Sequence, residues 1–207
     1  MGLLKLLTRD PLAFALVAVP LLYSVIIHEV AHGWVANRMG DPTARYAGRL
    51  SLNPLKHLDP IGTLMLFLVG FGWARPVPVD ISNISDPRKG LIFVSSAGIL
   101  ANILLAILAL LFFRVFSIPS SGTLAVLVYY VVEINITLAA LNLIPIPPLD
   151  GSKILMGFAP REVRYFLARL EPYGFFIIIG LLYLGILDFL IALFRGIIAT
   201  LINIVIP

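Results

Sequence analysis

The sequence predicts an all-α, multi-pass membrane protein with about four transmembrane helices. It adds one re-entrant or short membrane segment, and short extended strands beside the functional end. Three observations carry this. Of the 207 residues 60% are hydrophobic and 13% charged, whereas a soluble domain is about half apolar and a quarter charged. Several apolar runs reach the roughly 20 residues that a span requires. The charged residues gather in the connections between those runs rather than along helix faces. There are no cysteines, so disulfides and thiolate metal sites are excluded. The net charge is +4, but in a membrane protein basic residues report orientation first. No nucleic-acid partner is expected; the bilayer is.

The N-terminal Lys5 and Arg9 precede an apolar run in the manner of a signal peptide. No small-residue cleavage site follows, and removal would delete the helix that carries the chemistry below. Leu6 stands where a myristoylation signal needs Ser or Thr. Residues 11–37 read as the first long helix, with Pro11 in its first turn, Pro20 inside it, and Gly40 and Pro42 as the stop. Residues 38–60 are polar and punctuated by Pro and Gly, and Leu50-Ser51-Leu52 alternates like a short strand. Residues 61–73 are apolar but too short to span, so they read as a re-entrant or interfacial segment. Arg75-Pro-Val-Pro-Val-Asp80 reads as extended.

Residues 90–113 and 123–144 are the second and third spans. The sequence 145–148, Pro-Ile-Pro-Pro, cannot continue a helix, and residues 152–171 are the most charged stretch. Residues 173–206 are apolar but too long for one untilted span. They are read as a span to about residue 194 and then an interfacial helix, with Asp188 marking a helix end. Seven basic residues lie in 38–90 and four in 146–172. The positive-inside rule wants both groups on one side. That holds if 61–73 enters and returns, giving four crossings, an outside N-terminus and a cytoplasmic functional end. The whole of 1–207 reads as one integral-membrane domain, with a core at 10–160 and C-terminal membrane helices over 173–206.

The first helix ends in His28-Glu29-Val30-Ala31-His32. Two histidines at i and i+4 project from one helix face and can supply two ligands to one zinc ion per chain. Glu29 beside them can act as a general base and later protonate a leaving amine. His and Glu are expensive within a membrane and mark function there. A catalytic zinc takes a third protein ligand and keeps one position open. Asp150, His57, Asp59 and Glu133 are the candidates, with Asp150 favoured because it follows a proline-broken segment on the same side as the histidines. Asn142 and Asn102 lie in apolar helices. Each either touches substrate or polarises its carbonyl, or makes an interhelical hydrogen bond. Glu133 is expected to be neutral and hydrogen-bonded in the bundle, and His57 to be a solvated loop residue near the mouth, with a substrate or structural role.

With those residues in view, the chain resembles the site-2 protease family of intramembrane zinc metalloproteases. The resemblance rests on His28-Glu-Val-Ala-His32, on the segment 142–151 ending in Asp150-Gly151, and on Gly98-Ile-Leu-Ala-Asn102, where Ile99 replaces the family's usual proline. It covers roughly residues 10–160 and fits a minimal core of the family. It implies zinc held by His28, His32 and Asp150, Glu29 as catalytic base, and Asn142 as a possible carbonyl or oxyanion contact. The implied substrate is a transmembrane or membrane-proximal segment of another protein. The implied setting is the cell membrane of a prokaryote, with the active site toward the cytoplasm. Segments 49–53 and 76–81 are expected to capture an unwound substrate by strand addition. The glycine-rich stretch 62–72 and segment 142–151 are expected to line the water path. Two rivals remain. A zinc transporter would spread polar residues along several helices, and a silent adaptor would not need Glu29.

Overall fold

The computed structural model describes residues 3–69 and 74–206. Among them the chain is helical, with no strand. A short α1 (Leu3–Arg9) leads into α2 (Pro11–Arg38). Asp10 caps α2 by accepting from the Ala13 N–H at 2.9 Å, Pro11 fills its first position, and Gly40 follows its end at φ +111°. After the short α3 (Thr43–Tyr46) comes α4 (Pro60–Val69). Residues 70–73 of the expected re-entrant segment lie outside the described residues. The flanks of that segment meet: Leu58 and Ala74 form an antiparallel bridge, and the Arg75 N–H donates to the His57 carbonyl at 2.8 Å.

Helix α5 (Pro87–Val115) is capped by Asp86, which accepts from the Arg88 and Lys89 amides at 3.2 Å each. Helix α6 (Thr123–Leu143) returns toward the functional end, and the proline-broken turn leads into α7 (Asp150–Phe158) and α8 (Arg161–Leu170). The expected boundary near residue 194 is wrong. The chain breaks instead at Gly185, whose left-handed φ of +70° suits glycine. This separates α9 (Gly174–Tyr183) from α10 (Ile186–Val205), so Asp188 lies in the first turn of α10 and Arg195 in its middle.

By length and composition five stretches can cross a membrane: Pro11–Arg38, Pro87–Val115, Thr123–Leu143, Arg161–Tyr183 and Ile186–Val205. Leucines on their outer faces, such as Leu12, Leu100, Leu104 and Leu193, are exposed, as lipid-facing positions should be. The core lies between α5, α6 and α10, where Ile99, Ala106, Val132, Ile136, Ala140 and Ile198 pack together. Helix α10 runs antiparallel to α6. Leu187 packs with Ile144 at one end, and Arg195 meets Thr137 and Glu133 further along. The N-terminal ends of α9 and α10 both lie near the end of α6, since Gly174 abuts Pro148.

The expected strands are corrected. Leu50-Ser51-Leu52 is a bend and loop, and residues 76–80 form no strand. The alternation of Pro76-Val-Pro-Val79 mimics a strand pattern, but proline brings no N–H to a ladder.

Candidate metal centre

His28 and His32 are one turn apart on α2 and face inward, 7% and 9% exposed. Asp150, at the first position of α7 and 8% exposed, comes to meet them. The His28 Nε2 to His32 Nε2 distance is 3.0 Å, and each Nε2 is 3.1 Å from Asp150 Oδ2. Ligand bonds of about 2.0–2.1 Å to a tetrahedral zinc put neighbouring ligand atoms about 3.3 Å apart. The triangle is therefore close to the size that such an ion needs.

The hydrogen bonds behind the ligands fix their tautomers. Asn135 Nδ2 donates to the Val131 carbonyl at 2.8 Å and to Ser24 Oγ at 2.8 Å, so its Oδ1 is free to accept. It accepts from Asn102 Nδ2 at 2.7 Å, which turns Asn102 Oδ1 toward His28 Nδ1 at 2.6 Å. His32 Nδ1 lies 2.7 Å from the Val94 carbonyl. Both Nδ1 atoms face pure acceptors and carry the protons, leaving each neutral Nε2 as a lone pair. Three acceptors converging within the protein call for a cation.

Close approach makes this possible. A Cβ on Gly98 would lie 2.5 Å from His28 Cε1 and 2.6 Å from His32 Nε2, so α5 can pass the ligands only with glycine there. Asn102 follows one turn later on the same face. Gly151 plays the matching part on α7, where a Cβ would lie 2.3 Å from the Leu143 carbonyl oxygen.

At the triangle lies a cavity of about 450 Å³, whose lining includes Glu29, Val77, Asn142 and Lys153. Glu29 Oε2 accepts from the Val77 N–H at 2.7 Å. Of the alternative third ligands, His57 is not at the site. It is 1% exposed rather than solvated, with Nε2 at 2.6 Å from the Ser51 carbonyl, a structural position. Glu133 is not at the site either; it is hydrogen-bonded within the bundle, to Arg195 of α10. Among the described residues His28, His32 and Asp150 form the one cluster able to hold a metal ion. Asn102 is fully buried behind His28 and hydrogen-bonds across helices to Asn135. Asn142 lines the cavity and donates to the Leu138 carbonyl at 3.0 Å. Sequence reasoning gave no role to Ser24 and Asn135, although a polar residue in an apolar span is itself a signal.

The chain is similar to known metalloproteases. The model of peptidase family M50 matches residues 117–184. "Putative zinc metalloprotease YwhC" of Bacillus subtilis is 38% identical over 172 residues, covering 79% of this chain and 78% of that protein. The chain belongs to peptidase family M50. It is thus a zinc metallopeptidase of the site-2 type, and its paired helical histidines and distant aspartate form a cluster that could hold a metal ion. "Putative zinc metalloprotease Rip2" of Mycolicibacterium smegmatis is 33% identical over 174 residues, 82% of this chain and 67% of its own. "Zinc metalloprotease MJ0392" of Methanocaldococcus jannaschii is 25% identical over 157 residues, 76% of this chain and 38% of its own. No solved structure matches this M50 chain.

Proposed function

We propose that this M50 peptidase hydrolyses a peptide bond in a transmembrane or membrane-proximal segment of another protein, with one zinc ion held by His28, His32 and Asp150. The observation that carries the reading is the convergence of three acceptors whose outer nitrogens are already committed, beside a cavity that holds a carboxylate. Zinc bound there supplies Lewis acidity toward a carbonyl and a water. Glu29 takes the proton of the attacking water and returns it to the leaving amine. Its Oε2 is held by Val77, so Oε1 is the oxygen that moves the proton. Asn142, which lines the same cavity, has a second amide proton for the substrate carbonyl.

Four crossings fit best: α2, α5, α6 and α10. The bridge between Leu58 and Ala74 supports entry and return of the intervening segment on one side. Helix α9 starts against Pro148, and the chain begins α10 beside Ile144, so α8 and α9 stay at the functional end. The two basic-rich loops then share that side, which supports an active site facing the cytoplasm of a prokaryotic cell. Segment 76–80 offers a substrate only carbonyls at Pro76 and Pro78, so full strand addition along that edge is not part of this reading.

The test is cleavage of a membrane-spanning peptide by purified protein, with and without a chelator, wild type against Glu29→Gln. Chelation and the substitution should each lower turnover by about 100-fold or more, with zinc retained in the variant. Equal cleavage by Glu29→Gln would sink the mechanism.

A further inference from the structure

The segment 75–80 is clasped along one edge. The Arg75 N–H donates to the His57 carbonyl at 2.8 Å, the Arg75 carbonyl accepts from Arg49 Nη2 at 2.6 Å, and the Val77 N–H donates to Glu29 Oε2 at 2.7 Å. In an extended chain the carbonyl of one residue and the amide two residues on face the same side. The Arg49 guanidinium and the Glu29 carboxylate therefore fill neighbouring slots that a partner strand would otherwise take.

Arg49 is an unusual residue for that task. It is 7% exposed, its Nε is buried with no hydrogen-bond partner, and it makes no ion pair among the described residues. Burial and the neighbouring Arg75 push its pKa down, while Glu29 pulls the other way. Glu29 is thus the anion that this cation feels. An uncompensated buried charge is costly, and an apolar side chain of like volume would serve packing alone as well or better.

We propose that Arg49 is a positioning residue for the general base. It anchors the Arg75 carbonyl, which holds the Val77 N–H on Glu29 Oε2 and leaves Oε1 turned toward the substrate. The inference rests on Glu29 acting as the base.

The test uses the full chain and a cleavable membrane-spanning peptide. Arg49→Ala should lower kcat by about 100-fold, the scale of a slight misplacement of a reacting group, with KM and zinc content near those of wild type. Added methylguanidinium should restore part of that kcat. Arg49→Met, which fills the space of the stem, should show the same fall in kcat and guards against a variant that fails to fold. Wild-type kcat in Arg49→Met, a raised KM with kcat kept, or a loss in Arg49→Ala that methylguanidinium does not reverse would each overturn the proposal. Glu29→Gln run in parallel separates the two readings. An inactive Glu29→Gln beside a fully active Arg49→Ala rejects Arg49 alone. An active Glu29→Gln rejects the base assignment and Arg49 with it.

Discussion

Two polar clusters interrupt the apolar bundle, and they are built differently. At the functional end, Ser24, His28, His32, Asn102, Asn135 and Asp150 are all buried, and each hydrogen bond restricts the next until three acceptors point at one place. Between α6 and α10, Glu133 meets Arg195 and Thr137 in a local arrangement with side chains about a third exposed, 33% for Glu133 and 37% for Arg195. Both clusters answer the same cost, a polar group in an apolar medium. The first answers it by convergence and leaves a site needing a cation. The second answers it by neutralising a charge, and ties two helices together.

The sharpest way to break the contrast is Gly98→Ala. The added Cβ falls within 2.6 Å of both imidazoles, so α5 must withdraw or the histidines must turn. Metal affinity should drop by more than the 10- to 100-fold or so that loss of one supporting partner costs, as read by zinc content after dialysis. Asn102→Ala comes next. His28 keeps its place on α2 but loses the acceptor that sets its tautomer, and zinc affinity should fall about 10- to 100-fold. Titration with a competing chelator measures it.

The second cluster should respond in stability and not in metal. Arg195→Leu leaves Glu133 unpaired in mid-span, a cost of about 3 kcal/mol, while zinc content stays at one per chain. The double substitution with Glu133→Leu should recover most of that loss. A thermal or denaturant unfolding series in detergent checks both, and loss of zinc in Arg195→Leu would erase the distinction between the clusters.

The smallest effect concerns Asp41, which anchors the far end of segment 75–80. It accepts from the Thr43 and Asp80 amides at 3.1 and 2.7 Å and from Asn83 Nδ2 at 2.9 Å. Burial raises its pKa, but the bonds from Thr43, Asn83 and Asp80 outweigh that and leave it below the ordinary value. A lowered pKa stabilises the fold above the ordinary carboxylate value and loses that contribution as pH falls through the folded one. Wild type should exceed Asp41→Asn by about 1–2 kcal/mol above pH 4 or so. The gap should close on further acidification, and unfolding curves across pH 2.5–6 test it.

What could be read from the sequence divides along a physical line. The His28–His32 pair was legible because i and i+4 spacing alone puts two side chains on one face. The ends of α2 and α6 were legible from Pro11, Gly40 and the prolines at 145–148. Asp150 was one of several candidates by residue type, and its favoured place came from the broken segment and the family resemblance. The links from Asn102 to Asn135 and Ser24 depend on the relative rotation of α2, α5 and α6, which no local spacing records. His57 looked solvated because its neighbours are polar, yet it is buried, and the chain returns to bond its carbonyl through the Arg75 N–H. The pairing of Glu133 with Arg195 was missed for a related reason: it depends on where the chain turns. A lone Gly185 in an apolar run does not announce that it is the turn.

That pairing has a consequence for how the protein is made. The proposed metal ligands are complete once residue 150 has been synthesised, but Glu133 then waits for a counter-charge that arrives 62 residues later in the chain. A charge at the centre of an isolated membrane helix resists insertion by roughly 2.5–3.5 kcal/mol, and α6 and α10 each carry one. Inserted separately, both helices bear that cost; released into lipid as an antiparallel pair, they cancel most of it. Pairing with α6 therefore lowers the cost of inserting α10.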